Sequence, residues 1–203
     1  MTPAPRRIVI VGGGIAGVTA GDALRDAGFE GELTVVGAEA HRAYSRPALS
    51  KAALHDLGDL TGHLLPEPAH GAVERLGVAA VGLDAERRLV RLEGGEELPY
   101  DGLVIASGSR ARRLGRATAD APGGEHGAGA APGTAAPGTV PSAELTLRGL
   151  DDAVELRRRI AGRPDVIVIG GGALAMELAS GCAAAGCRVT LVSRRTPQEA
   201  LLG

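Results

Sequence analysis

The chain opens with a polar pair, Arg6-Arg7, followed by the unbroken apolar run Ile8-Val9-Ile10-Val11 and then the glycines Gly12-Gly13-Gly14. A short apolar run bounded by turn residues reads as a buried strand. From Ile15 to Ala27 the apolar positions take a helical spacing, and Leu33-Thr34-Val35-Val36 reads as a second strand that ends near an acid, Glu39. The same order recurs late in the chain. Asp165-Val166-Ile167-Val168-Ile169 runs into Gly170-Gly171-Gly172, a helical stretch ends at Ala185-Gly186, and Val189-Thr190-Leu191-Val192 follows as a strand. The two copies align without gaps from their glycine turns to Ala27-Gly28 and Ala185-Gly186.

Between the copies the pattern changes. Leu54 to Glu74 mixes Gly, Pro, His and Leu in short helical pieces. From Leu76 the period becomes that of strands: Gly77 to Val81 is a short strand, Arg87 to Leu92 with Leu98 to Tyr100 form a hairpin around Gly94-Gly95, and Leu103-Val104-Ile105 is another strand. Gly115 to Pro141 collapses to Ala, Gly, Pro and Thr, a low-complexity linker expected to be disordered. Leu147 to Ala153 opens a helix that runs to about Ile160, with Asp151 or Asp152 expected as its N-terminal cap. The expectation is an α/β chain with residues 1–112 as a first nucleotide-binding unit, 113–146 as linker and 147–203 as a second unit, each three-layered and mostly parallel.

Strand, glycine turn and helix in this order form the phosphate-binding corner of a Rossmann-like βαβ unit. A tight turn is expected at Gly12, close backbone approach to a pyrophosphate at Gly14, and close helix–strand packing at Gly17, so Gly12, Gly13, Gly14, Ala16 and Gly17 are candidate cofactor contacts. The helix N-terminus adds free N–H groups and partial positive charge. The second copy offers Gly170, Gly172 and Ala175, the last replacing the third glycine. Two such units fit a protein that holds two dinucleotides and passes a hydride between them. No acid ends the second strand of the second copy, which reads Ser193-Arg194-Arg195. An acid there bonds the ribose 2′-OH of NAD, whereas Arg194 and Arg195 suit the 2′-phosphate of NADP.

Composition narrows the field. Of 203 residues, 44% are hydrophobic, but Phe29, Tyr44 and Tyr100 are the only aromatics, so the core must be aliphatic. A formal net charge of -2 gives no electrostatic footprint for nucleic acid or an anionic membrane. No apolar run is long enough for a bilayer span and no signal-peptide pattern follows Arg6-Arg7, which points to the cytoplasm. Cys182 and Cys187 have neither CxxC nor zinc spacing and read as buried or idle thiols. His55, His63 and His70 read as surface histidines without metal-ligand spacing.

Tyr44-Ser45-Arg46-Pro47-Ala48-Leu49-Ser50-Lys51, together with the first glycine turn and Val36-Gly37-Ala38-Glu39, resembles the FAD-dependent ferredoxin reductases of the rubredoxin and putidaredoxin reductase type. Their usual string is RPPLSK, from which Ala48 departs. The resemblance implies FAD in the first unit and NAD(P)H in the second, with electrons passed to a ferredoxin-type protein. It places Arg46 and Lys51 on the flavin side, where a fixed cation stabilises the reduced ring. The ribose-binding carboxylate of such proteins often falls at the position of Ala38. Here either Glu39 reaches the adenosine ribose or the backbone does.

The same resemblance gives the backbone of Ala80 to the adenine edge. Leu103 to Arg112 resembles the ATG-x-x-x-R segment, with Ser107 for the threonine and Arg112 contacting FAD. Glu177 matches the glutamate of GxGxxGxE and is expected to pair with Lys51 beside the flavin, as a buried pair costly to break. Lys51 and Glu177 are thereby the candidate catalytic residues. No cysteine pair lies near the first glycine turn, where disulfide reductases of related architecture carry theirs. Such reductases continue beyond the second unit with the rest of the NAD domain, a Gly-Asp flavin segment and an interface domain. The expectation is therefore a truncated chain with two incomplete units. It acts either as a flavoprotein reductase or as a non-catalytic nucleotide-binding half, completed by a partner chain or by homodimerisation.

Overall fold

The computed structural model describes residues 5–51, 54, 60–113 and 144–199. Most of the low-complexity linker, His55 and the last residues lie outside the described residues. The chain divides into two compact units, Met1–Ser45 with Leu64–Ser109, and Arg46–His63 with Arg110–Gly203. The Arg46–Lys51 string, which follows β1, α1 and β2 in sequence, is thus grouped with the second unit.

The first unit is built on a parallel sheet of β1 (Arg7–Val11), β2 (Glu32–Gly37), β3 (Val73–Leu76) and β7 (Gly102–Ile105), in the order β3-β2-β1-β7. A parallel sheet is covered on both faces, which is why Ile8 to Val11 is apolar throughout. On one face Ile8, Ile10, Leu33 and Val35 pack with Ala20 and Leu24 of helix α1 (Ile15–Asp26). On the other, Val9 and Val36 pack against Val90 and Leu92. Those two belong to an antiparallel sheet of β4 (Ala80–Asp84), β5 (Leu89–Leu92) and β6 (Glu97–Pro99). The result is three layers: helix, parallel sheet, antiparallel sheet. Strand order runs one way from β1 through β2 to β3 and then returns to the far side of β1 at β7. This puts a topological switch point at the C-terminal ends of β1 and β7, where open α/β sheets bind ligands.

Two local expectations change in this unit. The strand expected over 77–81 starts later, at Ala80 of β4, and Gly77 to Ala79 link β3 to it: Gly77 has φ +73° and its N–H donates to Glu39 O at 2.9 Å. His70 is no surface residue. It is 3% exposed, its Nδ1 accepts the Ala72 N–H at 3.0 Å, and its ring lies where any side chain at Gly21 would stand. Arg25 fastens the same corner, donating to the carbonyls of His70, Phe29 and Gly31.

The second unit holds the parallel pair β8 (Asp165–Ile169) and β9 (Arg188–Val192), with helices α2 (Leu150–Ile160) and α3 (Ala173–Ala184). Its core joins Ile160, Cys182 and Cys187 to Leu156, Val166 and Val189, so both thiols are buried packing groups. The residue that caps α2 is Gly149. Asp152 lies inside the first turn and reaches back to accept the N–H groups of Arg148 and Gly149 at 2.7 and 2.9 Å.

The strand registers pair Val11 with Val36 and Ile169 with Val192, so Ile167 stands in the second copy where Val9 stands in the first, and Val192 where Val36 stands. Val9 and Val36 are 3% and 1% exposed under the antiparallel sheet, whereas Ile167 and Val192 are 67% and 48% exposed.

Candidate functional site

The first glycine turn is fixed by backbone packing. Gly12 has φ +125°, and a Cβ there would lie 2.0 Å from Ala106 O, in the segment that leaves β7. A Cβ on Gly17 would lie 1.9 Å from Gly12 O, which is why the helix can approach the turn only at a glycine. Gly14, the N-cap of α1, is different: a Cβ there would meet no atom within 4 Å, and no side chain caps the helix. The open side of the turn is therefore the side with uncapped N–H groups, while Ile15 and Ala16 are exposed beside it. Gly13 packs on Gly37 at the end of β2.

Beyond that end, Ala38 is exposed and Glu39 is half-buried, its carboxylate accepting a hydrogen bond from the buried phenol of Tyr44. An antiparallel bridge from Tyr44 to Leu64 holds the phenol in place. Ala80 begins β4, half-buried and paired with Leu92. Arg112 is exposed and falls in the second unit, not with the first glycine turn.

The second turn repeats the first with one substitution. Gly170 has φ +141° and donates to Val192 O at 2.9 Å, and Gly172 caps α3 with open space around its missing Cβ. Ala175 stands where Gly17 stands in the first copy, and its methyl would crowd any Cβ at Gly170, at 3.2 Å. At the end of β9 the Ser193 hydroxyl sits against Gly171, and Gln198 donates to Gly171 O at 2.7 Å, folding the strand end onto the turn. Arg194 and Arg195 are exposed there.

The second unit also holds the charged cluster. A 3₁₀ turn over Arg46–Ser50 carries Lys51 to α3, where its Nζ lies 2.9 Å from Glu177 Oε1. Ser50 Oγ donates to Glu177 Oε2 at 2.5 Å. The Ser50 hydroxyl foremost, and then Lys51, hold the Glu177 carboxyl below the usual carboxylate range. Arg46 donates to Arg148 O at 2.8 Å, tying the string to the entry of α2. Together with Pro47, Leu49, Leu147 and Leu174 these residues line a cavity of about 250 Å³. With Lys51 57% and Glu177 32% exposed, the pair is half open, not the buried pair expected from sequence. Sequence reasoning does not single out Tyr44 or Ser50. Scarcity of aromatics was the available signal for Tyr44, and for Ser50 it was its place in the Arg46–Lys51 string.

Among the described residues no cluster of three or more metal-binding side chains occurs, and no helix is long and apolar enough to cross a membrane.

The sequence profile described as pyridine nucleotide-disulphide oxidoreductase matches residues 6–198. A rubredoxin-NAD(+) reductase of Pseudomonas putida is 33% identical over 189 residues, covering 91% of this chain and 44% of the relative. The ferredoxin--NAD(+) reductase component of the p-cumate 2,3-dioxygenase system of Pseudomonas putida is 34% identical, covering 92% and 42%. Among solved structures, the covalent putidaredoxin reductase–putidaredoxin complex matches with a TM-score of 0.70 at 30% identity, covering 93% of this chain and 42% of that one. A ferredoxin reductase from Rhodopseudomonas palustris matches with a TM-score of 0.74 at 30% identity, covering 94% and 44%. The chain thus spans less than half the length of these relatives.

Proposed function

The chain belongs to the pyridine nucleotide-disulphide oxidoreductase family, and on that premise we propose that it is the nucleotide-binding part of a flavoprotein reductase. This reductase takes electrons from NAD(P)H through FAD to a ferredoxin-type acceptor. The observation that carries the reading is the first glycine turn. Side chains are excluded at Gly12 and Gly17 by backbone oxygens, while the space at Gly14 is open beside uncapped helix N–H groups. That cradle suits a pyrophosphate. When bound, FAD supplies a ring that accepts two electrons together and releases them one at a time.

In this reading Gly12 to Gly17 hold the pyrophosphate, Glu39 takes the adenosine ribose and the backbone of Ala80 meets the adenine. Arg46 and Arg112 are cofactor contacts, and Lys51 is a cation for the flavin with Glu177 as its counter-ion. In the second unit Gly170, Gly172 and Ala175 receive the nicotinamide dinucleotide. Ser193, Arg194 and Arg195 favour NADPH, because Ser193 supplies no carboxylate to repel a 2′-phosphate and the two guanidinium groups attract one. The names of the relatives, reductases of rubredoxin and of dioxygenase ferredoxins, support an iron–sulfur or rubredoxin-type acceptor.

A second reading is that further polypeptide, from a complementing chain or a second copy, is required for activity. It is favoured by the exposure of Ile167 and Val192, whose first-unit counterparts lie under an antiparallel sheet.

Absorbance and mass spectrometry of the ligand retained on purification test the primary reading. Flavin bands and the mass of FAD are expected. A colourless protein that takes up no FAD on reconstitution would overturn it.

A further inference from the structure

Ser50 lies between two charges that draw attention first, yet its geometry is the more constrained. It closes the 3₁₀ turn Arg46–Ser50 and is 5% exposed, so backbone and side chain are both fixed. Lys51 reaches Glu177 on a flexible stem that is 57% exposed. An ion pair that open is screened by water, loses side-chain entropy when it forms, and orients its partner weakly. The two carboxylate oxygens are divided between the neighbours: Oε1 to the Lys51 ammonium at 2.9 Å, Oε2 to the Ser50 hydroxyl at 2.5 Å. One contact leaves a carboxylate free to rotate about its last bond, and two contacts, one of them from a rigid turn, fix its plane.

We propose that Ser50 is the positioning residue of this cluster: its hydroxyl holds the Glu177 carboxylate ionised and in a single orientation, with Oε1 turned to Lys51. The consequence reaches the cavity that all three residues line. Its charged lining is Arg46, Lys51, Arg148 and Glu177, three cations to one carboxylate. With Glu177 fixed on the Ser50 side, its Oε1 is presented to the Lys51 ammonium at the wall of that cavity. A depressed Glu177 pKa, caused first by the Ser50 hydroxyl and second by Lys51, agrees with this division of labour. As a part in flavin chemistry the assignment rests on the proposed function, but its test needs no flavin.

The test is a ¹³C NMR titration of the Glu177 side-chain carboxyl in the full chain, with Glu177→Gln identifying the resonance. Ser50→Ala removes only the hydroxyl and is expected to raise the titration midpoint, while Ser50→Thr, which restores a hydroxyl, keeps the midpoint of the unaltered chain. Loss of packing alone would lower the melting temperature without moving the midpoint. The proposal is overturned if Ser50→Ala leaves the midpoint in place while Lys51→Gln raises it, since Lys51 then suffices. A chain that binds no FAD but shows the Ser50→Ala shift would refute the flavin reading and leave this one standing.

Discussion

Lys51 Nζ lies 2.9 Å from Glu177 Oε1, and both residues sit within the second compact unit. The pair is half exposed, so its contribution to folding is small and its interest lies in the charge it presents to the cavity. Lys51→Met is therefore expected to lower the melting temperature by less than about 4 °C, the order expected for losing an exposed ion pair in a chain of this size. A large loss would mean that the pair is buried in solution.

The two glycines Gly12 and Gly14 should separate folding from binding. Gly12→Ala drives a Cβ into Ala106 O and requires a residue at φ +125°, so it should destabilise the first unit or prevent its folding. Gly14→Val places a side chain in open space and should cost only about 1 kcal/mol as a poorer N-cap, while blocking the approach of phosphate. Thermal melts and flavin affinity, measured on both variants, check this. Unchanged FAD affinity in Gly14→Val would contradict the assignment.

Asp101 fastens the start of β7 to the start of β1. Its carboxylate accepts the N–H groups of Arg6 and Arg7 at 2.9 and 2.8 Å and pairs with the Arg7 guanidinium at 3.1 Å. These contacts, the Arg7 side chain foremost, lower its pKa from 3.8 to about 2. A depressed carboxyl stabilises the fold fully above its unfolded pKa, and this support is lost as pH falls through the folded value. The unaltered chain should therefore lose melting temperature between about pH 4 and pH 2. Asp101→Asn should melt lower at neutral pH and show a shallower acid slope. Equal slopes would assign the acid sensitivity elsewhere.

If the second unit prefers NADPH as proposed, Arg194 and Arg195 carry that choice. Replacing both by alanine should weaken NADPH far more than NADH, since each charge-assisted hydrogen bond to a phosphate is worth roughly 1.5 to 3 kcal/mol. Binding constants for the two dinucleotides check this. Equal losses would make these arginines ordinary surface charges.

Much of this architecture was legible in the sequence because strands buried on both faces leave runs such as Ile8 to Val11, and turns without room for a Cβ leave glycines. The β1–α1–β2 unit, its repeat as β8–α3–β9, the hairpin of β5 and β6 and the Lys51–Glu177 contact follow from such signals or from the family string. What was not legible depends on tertiary neighbours. His70 is buried because Gly21 leaves a space for its ring, and nothing local to His70 announces that. Asp152 serves α2 from inside its first turn because Gly149 has no side chain to cap with. Ser50 acquires its role only when α3 brings Glu177 against the 3₁₀ turn.

The central claim, that the first unit is built for an adenine dinucleotide carrying flavin, is tested most directly by titrating the purified chain with FAD and, in parallel, with FMN. Flavin fluorescence reports both. The account predicts saturable quenching of FAD at one equivalent per chain and none of FMN, because in the proposed site the glycine turn, Glu39 and Ala80 take the pyrophosphate, ribose and adenine that FMN lacks. Equal binding of the two flavins, or no binding of either, would contradict it.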